Sequence, residues 1–262
     1  MKQIKQSVLA LAASLALVSG ATYAGELRVG ATPVPHAEIL EFLQPQLAKQ
    51  GVELKVTVFN DYVQPNLAVD SGELDVNYFQ HRPYMESFVA EHGSKLVEVV
   101  GVHIEPIGAY SARVKKVEEL KDGAKVAIPN DPTNGGRALL LLQVQGLITL
   151  NDPANVTQTV HDIKDNPHKL QFVELEAPQL PRALDEVDLA IINTNYAMDA
   201  GLNPLKDALF IEGSKSPYVN TLVGNPESVK KPEVEILKKA LLSEDVRKFI
   251  LDKYAGAVVP AF

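Results

Sequence analysis

Short runs of β-branched residues alternate with amphipathic helical segments along the first third of the chain. The segments "ELRVGA", "VELKVTVF", "ELDVNY" and "KLVEVVGV" have the composition of strands, and a helical pattern lies between each consecutive pair. In the first helical pattern, Ile39, Leu43 and Leu47 recur at helical spacing, and Gly51 marks its end. This alternation predicts a mostly parallel sheet with helices packed on its faces.

The same alternation restarts in the middle of the chain. "KVAIP", "LQFVEL" and "DLAIIN" predict strands, "GGRALLLLQVQG" and "QLPRALDE" predict helices between them, and the C-terminal segment predicts two amphipathic helices. We therefore expect an α/β fold with two lobes and a ligand cleft between them. Lobe 1 would comprise residues 25–107 and 222–262, and lobe 2 residues 108–221, with hinge crossings near 105–110 and 218–225.

The first 24 residues have the pattern of a secretory signal peptide. Lys2 and Lys5 precede an apolar run, and "ATYA" supplies a cleavage pattern before Gly25. The apolar run is short for a membrane span, which needs about 20 residues. We expect cleavage and export, with an uncleaved N-terminal anchor as the alternative.

Composition excludes several classes of function. The chain has no cysteine, which rules out disulfides, thiolate zinc sites and cysteine nucleophiles. Its formal net charge of -8 makes nucleic acid and anionic lipid poor partners.

Polar and aromatic residues follow the predicted strands at several independent places. These segments are "NDY" at 60–62, "YFQHRPY" at 78–84, His103, "NDPTNGGR" at 130–137, "NTNY" at 193–196 and "YVN" at 218–220. Ligands of open α/β sheets bind beyond the carboxyl ends of the strands. The pattern therefore predicts one cleft lined with polar and aromatic groups, which is typical of a small-molecule site.

The segment "NDPTNGGR" combines a predicted helix start with a cation. Gly135 and Gly136 would open the helix with free backbone N–H groups, and Arg137 would oppose the helix dipole unless an anion is near. We expect Arg137 to bind a ligand carboxylate, because guanidinium and carboxylate form two parallel hydrogen bonds. A solvated arginine, or one paired with Asp131, is the alternative.

Three asparagines can both donate and accept hydrogen bonds. Asn193, Asn195 and Asn220 would suit a ligand that carries an ammonium and a carboxylate, although asparagine also forms turns at strand ends. The rings of "YFQHRPY" would form either the apolar walls of a pocket or a core cluster.

Histidines raise the alternatives of catalysis and metal binding. His81 and His103 could act as zinc ligands or as a general base. No His-Glu-x-x-His or Gly-x-Ser-x-Gly motif is present, and nothing ties Glu105 to a paired acid and base. We therefore expect no catalysis, no metal and no cofactor, and we expect His36 and His168 to be ordinary surface residues.

Five blocks resemble one known family. "NYFQHRPYM", "VHIEPIGAYS", "AIPNDPTNGGRALLLLQ", "AIINTNYA" and "SPYVNTLV" are similar to the NlpA family of methionine-binding proteins, the substrate-binding components of ATP-driven methionine importers. The resemblance runs in order along the whole chain after the signal. It implies a two-lobed periplasmic binding protein that closes about a hinge on methionine and docks on a membrane permease.

The resemblance also implies roles for individual residues. The walls of the pocket for the ligand side chain would be Tyr62, Phe79, His81, Tyr84 and His103. Arg137 with Asn134 would hold the ligand carboxylate. Asn195 and Asn220 would contact the amino and carboxylate groups, and Tyr196 and Tyr218 would flank them.

In one respect the chain departs from the family. Members are often lipoproteins with a cysteine at the end of the signal, and "SGATYAGE" has none. We therefore expect a monomer released into the periplasm without a lipid anchor. The choice among L-methionine, its D-isomer, a sulfoxide and a small peptide stays open. A hydrolase on the same fold and a surface adhesion protein are the rival functions.

Overall fold

A computed structural model describes residues 25–213 and 216–262 of the chain. The predicted signal peptide at 1–24 lies outside these residues. The strands are β1 Gly25–Ala31, β2 Val52–Val58, β3 Val76–His81, β4 Val97–Ile104, β5 Gly108–Tyr110, β6 Lys125–Pro129, β7 Thr149–Leu150, β8 Ile163–Asp165, β9 Gln171–Leu175, β10 Leu189–Ile192, β11 Phe210–Ile211, β12 Val219–Gly224 and β13 Val259–Pro260.

The α-helices are α1 Glu38–Lys49, α2 Gln64–Asp70, α3 Arg82–His92, α4 Pro132–Val144, α5 Thr194–Asp199, α6 Pro204–Asp207, α7 Pro232–Leu241 and α8 Glu244–Tyr254. The segment Ala177–Asp185, for which the sequence predicts an α-helix, is a 3-10 helix with Pro181 inside it. Proline lacks the N–H that a regular helix needs. None of the helices in the described part of the chain is long and apolar enough to span a membrane.

The first sheet has six strands in the order β13-β4-β12-β3-β1-β2. β1 pairs in parallel with β2 and β3. β12 arrives from the far end of the chain and pairs antiparallel with both β3 and β4. The sheet is therefore mixed, and β12, near the predicted crossing at 218–225, inserts between two strands from the first third of the chain.

The second sheet has five strands in the order β11-β5-β10-β6-β9. β6 is parallel to β9 and β10, whereas β5 is antiparallel to β10. β7 and β8 form a separate two-stranded sheet.

Each large sheet has its own hydrophobic core. The C-terminal helices α7 and α8 bury Leu237 and Ile250 with Leu43 of α1 against the first sheet. Leu139 and Leu142 of α4 pack against the second sheet in a separate cluster. Two sheets with separate cores give the two lobes of an α/β fold, as predicted. The lobe bounds 25–107, 108–221 and 222–262 stay a prediction. The predicted boundary between residues 221 and 222 falls within β12, which is a strand of the first sheet.

Candidate functional site

A small cavity lies between the two sheets, at the carboxyl ends of β3, β6 and β10. Among the residues predicted for the site, the cavity is lined by Tyr62, Phe79, His81, Tyr84, Asn134, Arg137, Asn195 and Asn220. It is also lined by Gln80, Glu105, Asn193 and Thr194. The strand-end positions in the sequence therefore converge on one place, as expected for parallel strands.

Hydrogen bonds cross the cavity from one lobe to the other. The Tyr62 hydroxyl donates to Asn195 Oδ1 at 2.7 Å, and His81 Nε2 lies 3.1 Å from Asn134 Oδ1. His81 Nδ1 accepts the backbone N–H of Tyr84 at 3.1 Å, which assigns the ring proton to Nε2. Burial, followed by the charge of Arg137, lowers the pKa of His81 to about 3, so the ring is neutral near pH 7. Neutral His81 therefore donates to Asn134.

Arg137 is buried, with 3% of its surface exposed. Its Nη2 pairs with Glu212 and also donates to the backbone carbonyl of Glu105 at 2.8 Å, and its Nε donates to Glu212 at 3.2 Å. The guanidinium lies 4.3 Å from the ring centre of Tyr218. Both sequence-based alternatives, a solvated arginine and a pair with Asp131, are therefore wrong. Within residues 25–213 and 216–262, Nη1 makes no hydrogen bond, so this edge of the guanidinium is available to a ligand.

The start of α4 differs from the sequence-based expectation. The helix begins at Pro132, and Asp131 caps it by accepting the N–H of Asn134 at 2.9 Å. Gly135 then donates its N–H to the carbonyl of Asp131 at 2.8 Å, so the predicted free N–H groups are not present there. The glycines instead permit close packing, because a Cβ on Gly136 would lie 2.3 Å from the carbonyl oxygen of Val156.

The side chain of Asn134 is already committed to neighbouring groups. Its Nδ2 is directed to Asp131, at 3.0 Å from each carboxylate oxygen, and its Oδ1 accepts from Asn193 at 2.8 Å. The predicted role of Asn134 as a carboxylate donor beside Arg137 would need this network to rearrange. Asn193 Oδ1 is a buried acceptor with no hydrogen-bond partner among the described residues, which makes Asn193 a candidate that sequence reasoning left undecided.

The prediction that His36 is a surface residue is wrong. His36 is 1% exposed, and the turn Pro33–Ala37 after β1 directs it inward. Its Nδ1 lies 2.8 Å from Thr32 Oγ1, and its Nε2 lies 3.0 Å from Asn220 Oδ1 and 3.2 Å from Glu105 Oε1. Its position just after a strand end is the same signal that found the other site residues.

His103 lies behind the cavity wall rather than in it. Its Nε2 is 2.7 Å from Glu105 Oε1, and its Nδ1 is hydrogen-bonded to the Tyr78 hydroxyl. His36, His103 and Glu105 are the one group in the described part of the chain whose ligand atoms could hold a metal, since they lie within 4.8 Å of one another. Every ring nitrogen in this group already has a polar partner, so hydrogen bonding alone explains the cluster.

Two predicted residues support the lining without belonging to it. Tyr196 packs its ring 5.0 Å from that of Tyr62, and its hydroxyl donates to the carbonyl of Asn60 at 3.3 Å. Tyr218 lies beneath Arg137 and 5.0 Å from the ring of His81. Both rings therefore lie beside side chains that line the cavity, and their predicted roles beside a ligand stay a prediction.

The inner cavity is small. The space that the centres of water molecules could occupy is about 20 Å³, which is room for about one water. An open groove of about 390 Å³ lies outside it, lined in part by Asp61, Asp131 and Glu176. Tyr62 and Tyr84 line both spaces and separate them. A molecule larger than water that enters from the groove must therefore displace these tyrosines or move the lobes apart.

Comparison with solved structures gives the same two-lobed fold. The nutrient-binding protein from Burkholderia cenocepacia bound to methionine is 46% identical to this chain and superimposes with a TM-score of 0.87. The match covers 90% of this chain and 100% of that protein.

Curated relatives are similar over most of their length. The probable D-methionine-binding lipoprotein MetQ of Vibrio cholerae is 42% identical over 257 residues, covering 96% of this chain and 95% of the relative. The D-methionine-binding lipoprotein MetQ of Escherichia coli K12 is 45% identical over 213 residues, covering 80% of this chain and 79% of the relative.

These names overturn the prediction of a protein released without a lipid anchor. Both relatives are called lipoproteins, and the family model that matches residues 27–262 is described as NlpA lipoprotein. That prediction rested on the absence of a cysteine from "SGATYAGE". The lipoprotein names of the relatives and of the family contradict the prediction. The family model covers nearly all of the described residues, and the chain belongs to the NlpA lipoprotein family.

Proposed function

We propose that this protein is the substrate-binding component of an ATP-driven importer, which binds methionine in the cavity between its lobes and delivers it to a membrane permease. The observation that carries the proposal is a cavity where the buried cation Arg137 and the buried carboxylate Glu105 meet aromatic walls. A zwitterionic amino acid with an apolar side chain complements these groups. The names of the Vibrio cholerae and Escherichia coli relatives, and the methionine in the Burkholderia cenocepacia structure, support the choice of ligand.

The proposed contacts divide the ligand into a polar end and an apolar end. The free Nη1 edge of Arg137 binds the carboxylate, and Asn134, Asn195 and Asn220 lie near the polar end. The rings of Tyr62, Phe79, His81 and Tyr84 surround the thioether, with Tyr196, Tyr218 and His103 behind the wall. A sulfur atom against the edge of an aromatic ring gains about 0.3–1.5 kcal/mol.

The proposed mechanism is hinge closure without chemistry on the ligand. The lobes separate, the ligand enters from the outer groove, and closure restores the bonds from Tyr62 to Asn195 and from His81 to Asn134. Closure removes water and so strengthens the contact between Arg137 and the carboxylate. The lobes are residues 25–107 with 222–262, and residues 108–221. The closed monomer is the form that docks on the permease.

Thermal unfolding tests the proposal. The purified protein is unfolded to remove any bound ligand, refolded, and melted with each amino acid in turn, with L- and D-methionine in separate samples. A ligand at 100 times its dissociation constant stabilises a protein by about 2.7 kcal/mol, which raises Tm by several degrees. We expect this shift with methionine and not with leucine. A protein whose Tm is unchanged by every amino acid would contradict the proposal.

A further inference from the structure

Glu105 is the one carboxylate among the described residues that line the inner cavity. Its side chain is 6% exposed, and burial raises its pKa, while the charge of Arg137 acts to lower it. A buried carboxylate is costly unless a cation or several hydrogen bonds compensate for the lost water. Its place on the cavity wall therefore calls for a function beyond folding.

One histidine is hydrogen-bonded to this carboxylate, and a second lies beside it. His103 Nε2 lies 2.7 Å and His36 Nε2 lies 3.2 Å from Glu105 Oε1. Burial lowers the pKa of His103 to about 3 and that of His36 to about 4, so both rings are neutral near pH 7. A neutral imidazole carries one proton, and a proton on Nε2 lets His103 donate to Oε1, whereas His36 Nε2 is hydrogen-bonded to Asn220 Oδ1 at 3.0 Å.

The opposite nitrogen of each ring fits this assignment. His36 Nδ1 meets the Thr32 hydroxyl at 2.8 Å, and His103 Nδ1 meets the Tyr78 hydroxyl. Burial raises the pKa of Tyr78 well above its usual value, which keeps this hydroxyl protonated and able to donate. Both hydroxyls can donate to Nδ1, so Thr32 and Tyr78 fix the orientation of the two rings, and His103 in turn fixes that of the carboxylate. Glu105 Oε2 is then the oxygen that neither imidazole engages.

We propose that Glu105 accepts the α-ammonium of the ligand and that His103 is a positioning residue that holds its carboxylate toward the cavity. This inference rests on the proposed function, because it assigns the polar end of the same ligand. The cation Arg137 then pairs with the carboxylate of the amino acid, and the anion Glu105 pairs with its ammonium group. The site selects ligands with a free α-ammonium and discriminates against deaminated analogues.

A comparison of two ligands tests the role of Glu105. The affinities of L-methionine and of 4-(methylthio)butanoate, which lacks only the amino group, are measured by calorimetry for the wild type and for Glu105→Gln. A hydrogen bond to a charged group corresponds to about tenfold to 100-fold in affinity. We expect Glu105→Gln to reduce the affinity for methionine by about this factor and to leave the affinity for 4-(methylthio)butanoate nearly unchanged. Equal losses for both ligands, or no loss for either, would overturn the assignment.

A matched pair of variants tests the positioning role. His103→Leu keeps the volume and removes the donor, whereas His103→Gln retains an N–H group. We expect His103→Leu to lose affinity for methionine selectively, by about tenfold, and His103→Gln to restore most of it. His168→Leu, at a site whose side chain is 46% exposed, serves as the control and should bind both ligands like the wild type.

The outcomes separate the two levels of the proposal. If the wild-type protein binds neither ligand, the proposed function itself is refuted. A wild type that binds methionine, together with a His103→Leu protein that loses both ligands to the same extent, refutes the positioning role alone. Thermal melting of each variant verifies that it is folded before its affinity is interpreted.

Discussion

The Tyr62 hydroxyl donates to Asn195 Oδ1 at 2.7 Å, across 133 residues of sequence and from one lobe to the other. The same ring packs against Phe79 of its own lobe and Tyr196 of the other. Tyr62 therefore belongs to the cavity wall and also joins the two lobes. Its contribution is a neutral hydrogen bond, in contrast to the charged group of Arg137.

We expect Arg137→Ala to reduce methionine affinity more than Tyr62→Phe does. Loss of a charged partner corresponds to about tenfold to 100-fold, whereas loss of a neutral hydrogen bond corresponds to about tenfold or less. Calorimetric titration of both variants measures the difference, and their melting temperatures show whether unpaired Glu212 disturbs folding. Near-zero effects in both variants would refute the assignment of the carboxylate to Arg137.

Stability should fall as pH is lowered from about 6.5 to about 5. Burial lowers the pKa of His36 to about 4 and those of His81 and His103 to about 3, from 6.5 in the unfolded chain. In this window the unfolded chain binds protons that the folded protein does not, so the free energy of unfolding decreases with falling pH. The upper bound is about 1.4 kcal/mol per pH unit for each histidine. Urea unfolding at several pH values measures the slope.

Glu105 opposes this trend, because burial raises its pKa and the folded state takes up its proton first. Burial also raises the pKa of the Asp131 carboxyl, so its contribution to the pH dependence of stability has the same sign as that of Glu105. The Glu105→Gln substitution removes the contribution of Glu105 to the pH dependence. Urea unfolding of this variant at several pH values therefore shows the effect of the histidines more clearly. A free energy of unfolding that stays constant or rises between pH 6.5 and 5 in this variant would contradict the prediction.

Asp75→Asn should destabilise the first lobe near pH 7. Burial acts to raise the pKa of Asp75, but hydrogen bonds from Arg28 and Lys231 outweigh it and lower the pKa to about 2. Since the side chains of both cations are about 40% exposed, we expect a loss of about 1–2 kcal/mol rather than the full value of the shift. The stabilisation is complete above pH 3.8 and is lost as pH falls toward 2, so the variant and the wild type should converge there.

Denaturant unfolding of the Asp75→Asn protein at pH 7 and pH 2.5 checks this prediction. Glu53→Gln is the control, because its partner Lys55 is at the surface and both side chains are more than half exposed. A deficit in Asp75→Asn that is as large at pH 2.5 as at pH 7 would assign the effect to something other than the ion pairs.

Gly136→Ala should destabilise the second lobe by about 1–3 kcal/mol. The added Cβ would lie 2.3 Å from the carbonyl oxygen of Val156 and 2.9 Å from the backbone nitrogen of Gln158. The loop against α4 must therefore move. Gly213→Ala is the matched control, because a Cβ there meets no atom within 4 Å. Equal urea midpoints for the two variants would show that the loop accommodates the methyl group freely.

The strand-end rule located much of the candidate site from sequence. His81 and Asn193 lie at or just beyond the carboxyl ends of strands, and the sequence patterns placed those strands close to their observed bounds. The same rule applies to His36 at the end of β1, but the segment "HAEIL" has the pattern of a surface helix, which concealed the inward turn before α1.

Partners that are distant in sequence could not be predicted. Glu212 pairs with Arg137 across 75 residues, and no local pattern connects a residue after an edge strand with the second turn of a helix. The insertion of β12 between β3 and β4 is likewise a property of the assembled sheet.

The central place of β12 also fixes the order in which the molecule can be completed during synthesis. The second sheet needs only residues from Gly108 to Ile211, whereas the first sheet begins at Gly25 and cannot close before Gly224 has been made. Domains generally fold as units while the chain emerges. The later-starting lobe is thus finished first, and the cavity, which takes walls from both lobes and Asn220 from β12, is assembled last.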